Sequence, residues 1–204
     1  MYLLFKIVAL LPLSVLQLIA SWIAILLNSY NSSMKRITRI NLQLAYPDLS
    51  TQQQEIFIKN SLKSQCMTYV ESIKCWGMPP EYNLALLKNI YDEQYFTEAL
   101  ANKKGVIVVI AHFGCWELLN AWLNLYSSPM IMYKPNKNKG IDRFMLEARQ
   151  RLNATLVPTD ENGVRSIFKH LKQGGLTVIL PDHLPKESGG IYSNFFVLKT
   201  LSTT

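Results

Sequence analysis

Cysteine is scarce in this chain, and the few cysteines show no ordered spacing. The 204 residues hold three, Cys66, Cys75 and Cys115. An odd number without a framework excludes a disulfide scaffold and fits reduced thiols. No zinc-type Cys/His spacing, arginine-rich tract or aromatic-basic RNA motif occurs, so neither a metal site nor a nucleic-acid partner is expected. No internal repeat or low-complexity tract is present. Acidic residues are also few. Against 14 Asp+Glu stand 21 Lys+Arg, a net charge of +7, which favours anionic lipid or an acidic protein as partner.

Charge is missing altogether from Ile7 to Leu27. That stretch is long enough to cross or embed in a bilayer as a helix, with Pro12 placed to kink it and Trp22 near the interface. Lys6 before the run and small residues at Ala20 and Ser21 also fit a cleaved signal peptide. Two features oppose export. Lys35, Arg36 and Arg39 crowd the following flank, which keeps that side cytoplasmic, and the thiols suit a reducing compartment. The expectation is an uncleaved membrane anchor over residues 1–30 and a cytoplasmic body over 31–204.

In that body, Asn31 to Tyr46 reads as a basic amphipathic helix ended by Pro47. Ser50-Thr-Gln-Gln53 has capping-box spacing. Ile58, Leu62, Cys66, Tyr69, Ile73 and Trp76 recur at steps of three and four, so one face of the next helix is expected to be buried until Pro79-Pro80 stops it. A helix is expected over Tyr95 to Asn102. Three short apolar runs read as strands: Val106 to Ala111, Met130 to Tyr133 and Thr177 to Leu180. The first, β-branched and uncharged, is expected to be covered on both faces. Between them lie helical patterns over Trp116–Trp122, over Gly140–Leu152 (Ile141, Met145, Ala148 and Leu152 inward) and over Gly163–Gln173 (Val164, Ile167, Phe168 and Leu171 inward). Strands alternating with helices predict an α/β fold with a mostly parallel sheet flanked by helices.

The first strand ends at His112, and Glu117 follows after Phe-Gly-Cys-Trp. On one continuous helix, residues five apart diverge by about 140°. Gly114 permits a turn, and across a strand–turn–helix corner the two can meet. Glu117 would then hold one imidazole nitrogen while the other acts as a general base in a cleft. His112, Lys134 and Asp182 each lie just past a strand's carboxyl end, where open α/β sheets bind ligands. A hydrogen-bonded core histidine, a helix-dipole glutamate, a solvated lysine and a turn aspartate are the plain alternatives.

Taken together the segments resemble the bacterial lipid A biosynthesis acyltransferases of the lauroyl/myristoyl type, within the lysophospholipid acyltransferase superfamily. The resemblance runs through Arg39-Ile-Asn41-Leu42 with Tyr46-Pro47, then His112-Phe-Gly-Cys-Trp-Glu117. It continues through Tyr133-Lys-Pro135 with Asp142 and Arg149, Gly163-Val-Arg165, Gly174 to Pro181-Asp182, and Phe195-Phe196. It implies transfer of a fatty acyl chain from acyl carrier protein to a hydroxyl of a lipid A precursor, without a further cofactor, at the cytoplasmic face of the bacterial inner membrane. It implies a catalytic pair of His112 and Glu117, with Arg149, Asp182, Lys134 and Tyr133 as substrate-binding residues. Arg149 is the candidate for the thioester oxyanion or an acceptor phosphate, although helical phase does not separate it from Arg151. The net positive charge suits acidic carrier protein, phosphorylated lipid and anionic membrane lipids.

Two positions depart from the family pattern. Lys134 replaces a common Arg and forfeits its planar fork. Cys115 replaces a common Asn and admits a rival mechanism with an acylated thiol. The resembled family extends well beyond Thr204, so a C-terminal part is expected to be missing. The nearest rival activity is glycerophospholipid or other lysolipid acylation. Its phosphate loop, a Phe-Pro-Glu-Gly-Thr-Arg-like run, is replaced here by Leu180-Pro-Asp-His-Leu184. A non-catalytic membrane-tethered assembly role is the rival outside enzymes.

Overall fold

The computed structural model describes residues 1–182, 185, 189–195 and 198–203. His183, Leu184, Phe196 and Thr204, which carry parts of the expected pattern, lie outside them. The chain divides into two compact units, Met1–Pro79 and Pro80–Thr204. The apolar N-terminus packs with the helices Ser33–Ala45 and Thr51–Gly77 into the first of these units.

In the first unit the uncharged stretch is not one helix. Pro12 breaks it into α1 (Tyr2–Leu10) and α2 (Leu13–Ser29), bent by 115°, since proline removes an N–H and clashes with the preceding turn. Among the described residues no single helix is long and apolar enough to cross a membrane. The break leaves carbonyls at the end of α1, and the buried Lys74 ammonium donates to those of Ala9 and Leu11, each at 2.8 Å. Burial holds the Lys74 ammonium below its ordinary pKa. The basic helix α3 (Ser33–Ala45) is capped by Ser32. The expected capping box opens α4 (Thr51–Gly77), with Ser50 and Gln53 bonding reciprocally. Ile58, Leu62 and Cys66 are buried along α4 as the periodicity requires, but Tyr69 is exposed. Ala20, Ala24 and Cys66 form a small core where α2 lies along α4. The outward faces of α1 and α2, including Leu3, Ile7, Leu18, Trp22 and Leu26, are exposed.

The second unit holds α5 (Pro80–Leu86), α6 (Glu93–Ala101), β1 (Val106–Val109), α7 (Glu117–Leu123), β2 (Met130–Tyr133) and α8 (Lys139–Arg151). They are followed by β3 (Thr155–Pro158), α9 (Glu161–Lys172) and β4 (Leu176–Ile179), then a hairpin of β5 (Gly190–Phe195) and β6 (Leu198–Thr203). Four strands form a parallel sheet in the order β1-β4-β2-β3. The α/β architecture is as expected. Strand β3 was not anticipated, because Thr-Leu-Val-Pro buries only Val157 and offers no apolar run.

Strand β1 also departs from expectation. It lies at the sheet edge, and only alternate residues face inward. Val106 and Val108 pack with Trp122, Leu123, Leu176 and Val178, whereas Ile107 and Val109 are exposed. β-Branching marks a strand but not how many of its faces are covered. On α9, Ile167 is buried while Val164 and Phe168 are exposed. That helix is capped by the Asp160 carboxylate and crosses close over β3. A Cβ at Gly163 would stand 1.8 Å from the Pro158 carbonyl oxygen. Gly163→Ala is therefore expected to force α9 off the sheet and cost about 1–3 kcal/mol or more, read as a lowered thermal midpoint in detergent.

Candidate active site at the carboxyl ends of the strands

β1 and β4 pair in register, Val109 opposite Ile179, and a further backbone bond links Ile110 N–H to the Ile179 carbonyl at 3.0 Å. Three residues beyond each strand end stand His112 and Asp182, and they meet. The Asp182 carboxylate lies 2.7 Å from His112 Nδ1 and accepts the His112 backbone N–H at 2.7 Å through its other oxygen. Gly114, at φ +60°, turns the chain into α7, a left-handed conformation that glycine adopts without penalty. The Trp116 ring meets the imidazole edge-on, with centroids 4.8 Å apart. Partial burial pushes the Asp182 carboxyl up, but the hydrogen bonds from the His112 ring and backbone outweigh it and hold the pKa below its ordinary value.

Glu117 was expected to hold the imidazole. The hold comes from Asp182 instead. Glu117 opens α7 on its inward face and is buried. There its carboxylate accepts from Asn120 Nδ2 at 2.9 Å and from an Arg149 Nη at 3.2 Å. The physical reason is the direction of α7. Asn120, Ala121, Trp122 and Leu123 are buried with Glu117, so the helix faces its first carboxylate into the unit. The buried charge is compensated by Arg149, whose side chain is 16% exposed against 7% for Glu117.

Arg149 is fixed from α8, which is anchored by buried Phe144 and Ala148. Arg151, two residues on, is exposed. Arg149 Nε is buried and has no hydrogen-bond partner among the described residues. Tyr133, the last residue of β2, donates its hydroxyl to Asp142, which also accepts Asn136 N–H at 2.6 Å. Burial, followed by that carboxylate, pushes the Tyr133 hydroxyl up to about 12, so it serves as a donor that locks the β2 end to α8. Lys134 is exposed and has no ion pair among the described residues. Cys115 is half-buried.

Two strand-end groups, His112 and Asp182, are therefore brought together, while Glu117 and Arg149 form a separate buried pair behind them. Asn120 had no assigned role in the sequence, although its i,i+3 spacing from Glu117 on a helix was a signal for it. A neutral imidazole that donates Nδ1–H to this carboxylate carries its lone pair on Nε2.

The sequence profile of bacterial lipid A biosynthesis acyltransferases matches residues 1–204. The chain belongs to that family. A lipid A biosynthesis palmitoleoyltransferase of Escherichia coli strain K12 is 26% identical over 199 residues, covering 95% of this chain and 62% of the relative. A lauroyltransferase of lipid A biosynthesis from the same strain is 25% identical over 174 residues, covering 84% and 56%. A lipid A biosynthesis acyltransferase of Haemophilus influenzae is 25% identical over 168 residues, covering 82% and 52%. The chain thus spans between half and two thirds of the length of these relatives.

The two carboxylates are expected to respond differently to mutation. Arg149→Met leaves Glu117 buried without its cation and is expected to destabilise by about 3–5 kcal/mol. The Glu117→Leu/Arg149→Met double variant should recover most of that loss, as a double-mutant cycle of chemical unfolding would show. Asp182 has a depressed pKa in the folded state, so its stabilisation is present above the unfolded carboxylate value of about 3.9 and lost as pH falls through the lower folded value. Asp182→Asn should remove that part of the acid limb in unfolding midpoints measured against pH.

Proposed function

We propose that this chain carries a site transferring a fatty acyl group from the thioester of acyl carrier protein to a hydroxyl of a lipid A precursor. The observation that carries the reading is the two-point hold of Asp182 on His112, in a chain of the lipid A acyltransferase family. A hydroxyl is a poor nucleophile until a base takes its proton. Nε2 of His112 takes that proton as the hydroxyl oxygen attacks the thioester carbonyl carbon. A C–O ester bond forms, the C–S bond breaks, and the proton passes from Nε2 to the departing carrier thiolate. Asp182 fixes the tautomer and stabilises the imidazolium, as the acid does in a Ser-His-Asp triad, with the substrate hydroxyl in the place of serine. The chemistry requires no cofactor beyond the acyl donor.

Glu117 acts by positioning. It holds the Arg149 guanidinium, the candidate cation for charge developing on the thioester oxygen or for an acceptor phosphate. Tyr133 sets the β2 end through Asp142, and Lys134, exposed at that end, offers a point charge to phosphate. The exposed apolar faces of α1 and α2 and the basic helix α3 support attachment to the inner membrane by embedding at its cytoplasmic face, with α1 and α2 as a bent pair.

Complementation of cells lacking the gene, with lipid A acyl chains read by mass spectrometry, tests the assignment. His112→Ala should leave lipid A short of one acyl chain. Asp182→Asn should lower the transfer rate roughly 10²- to 10⁴-fold, with only a small fall in the thermal midpoint at neutral pH because the pair is partly exposed. Cys115→Ser should keep most activity. Loss with Glu117→Gln at an unchanged midpoint, together with an active Asp182→Asn, would make Glu117 the histidine's partner during turnover and Asp182 a turn residue. A change confined to phospholipids would replace the acceptor assignment.

A further inference from the structure

Between α2 and α4 of the first unit lies a cavity of about 530 Å³ that the acyl-transfer chemistry does not use. Its polar lining consists of Ser21, Asn28 and Ser29 from α2 with Lys59, Asn60 and Lys63 from α4. Lys59 and Lys63 are one turn apart on the same face, where two like charges repel. The acids of α4 are engaged elsewhere by direct contacts. Glu55 is taken by Arg39 at 2.8 Å and Lys35 at 3.8 Å, and Glu71 accepts from Gln17 at 2.9 Å. The first unit as a whole carries seven basic side chains against three acidic ones.

The cavity is also supplied with acceptors. Ser21 and Ser29 donate their hydroxyl protons to the Gln17 and Ile25 carbonyls at 2.9 and 2.8 Å, which leaves their oxygens as acceptors. Asn28 Oδ1 is buried and has no hydrogen-bond partner among the described residues. Such an orphan is costly unless something donates to it. Ala24 and Ile25 give the lining an apolar part, and Trp22 and Leu26, beside them in the sequence of α2, are exposed.

We infer that this cavity binds the headgroup of an anionic glycerophospholipid, with a phosphate against Lys59 and Lys63 and headgroup hydroxyls donating toward Asn28 and the serine oxygens. The acyl chains run along the exposed face of α2. Each class of group at the site excludes an alternative. A zwitterionic headgroup would bring an ammonium against two lysines. Free phosphate would leave the apolar part of the lining in water and the buried acceptor unsatisfied. Trp22 suits the boundary between headgroup and hydrocarbon, where one end of the ring is apolar and the other wet.

The test is binding of the full chain to phosphatidylcholine vesicles with and without phosphatidylglycerol. Lys59→Gln/Lys63→Gln should weaken binding to the phosphatidylglycerol vesicles roughly ten- to thirty-fold and leave binding to pure phosphatidylcholine unchanged. Both lysines are exposed, so the fold should survive, and Lys59→Arg/Lys63→Arg should restore most of the binding. Lys169→Gln/Lys172→Gln removes the same charge from exposed positions on α9 and should change it less than about threefold. Equal losses in the two Gln pairs would mean diffuse attraction to the surface and overturn the site. So would an unchanged Lys59→Gln/Lys63→Gln variant. Displacement of the protein from phosphatidylglycerol vesicles by millimolar inorganic phosphate, at constant ionic strength, would assign the cavity to free phosphate instead.

Discussion

The pairing of β1 with β4 is the constraint on which the candidate site depends. Parallel strands in register carry equivalent residues to equal heights, so His112 and Asp182 emerge opposite one another three residues past Val109 and Ile179. Their contact joins positions 70 residues apart in the chain. The carboxylate spans two donors on the same residue, the ring and the backbone N–H, and so fixes the imidazole's plane as well as its position. Leu176, Thr177 and Val178 are buried in the middle of this arrangement, and the Thr177 hydroxyl bonds the Met130 carbonyl at 2.7 Å, tying β2 to the same frame.

The two carboxylates of the site occupy opposite electrostatic settings. Asp182 is 40% exposed and bonded to a histidine that is 24% exposed, a setting in which water screens the pair. Glu117 and Arg149 are desolvated, and their attraction must offset a penalty of several kcal/mol per ion. A pair of that kind serves chiefly to fix geometry. Here it fixes α7 to α8, because Glu117 opens one helix and Arg149 lies in the last turn of the other. The wall behind the histidine thereby keeps a charge whose direction is set by the fold.

The first unit shows how one residue can redirect a hydrophobic segment. Composition alone favours a spanning helix from Ile7 to Leu27, and Pro12 converts it into two helices at 115°. Lys74 makes the break tolerable by donating to carbonyls at Ala9 and Leu11 that the helix no longer satisfies. The same unit covers only part of its apolar surface, so the outer faces of α1 and α2 carry exposed side chains alongside a cavity lined with lysine and amide groups.

Sequence by itself determined the types of the three apolar strands and of the helices between them, the α/β class, the capping box at Ser50–Gln53, and the strand-end placement of His112, Lys134 and Asp182. These follow from local chemistry: apolar period, turn residues and caps act over a few residues and need no knowledge of neighbours. It also carried the ordered motifs that relate the chain to its family. Tertiary structure alone decided which strands adjoin, and hence that Asp182 rather than Glu117 holds His112. It decided that Glu117 turns inward to Arg149, that β1 is an edge strand with Ile107 and Val109 uncovered, and that Thr155–Pro158 is a strand at all. Each of those depends on what lies opposite a residue in space, and a one-dimensional pattern records the face a side chain belongs to but not the partner that face meets.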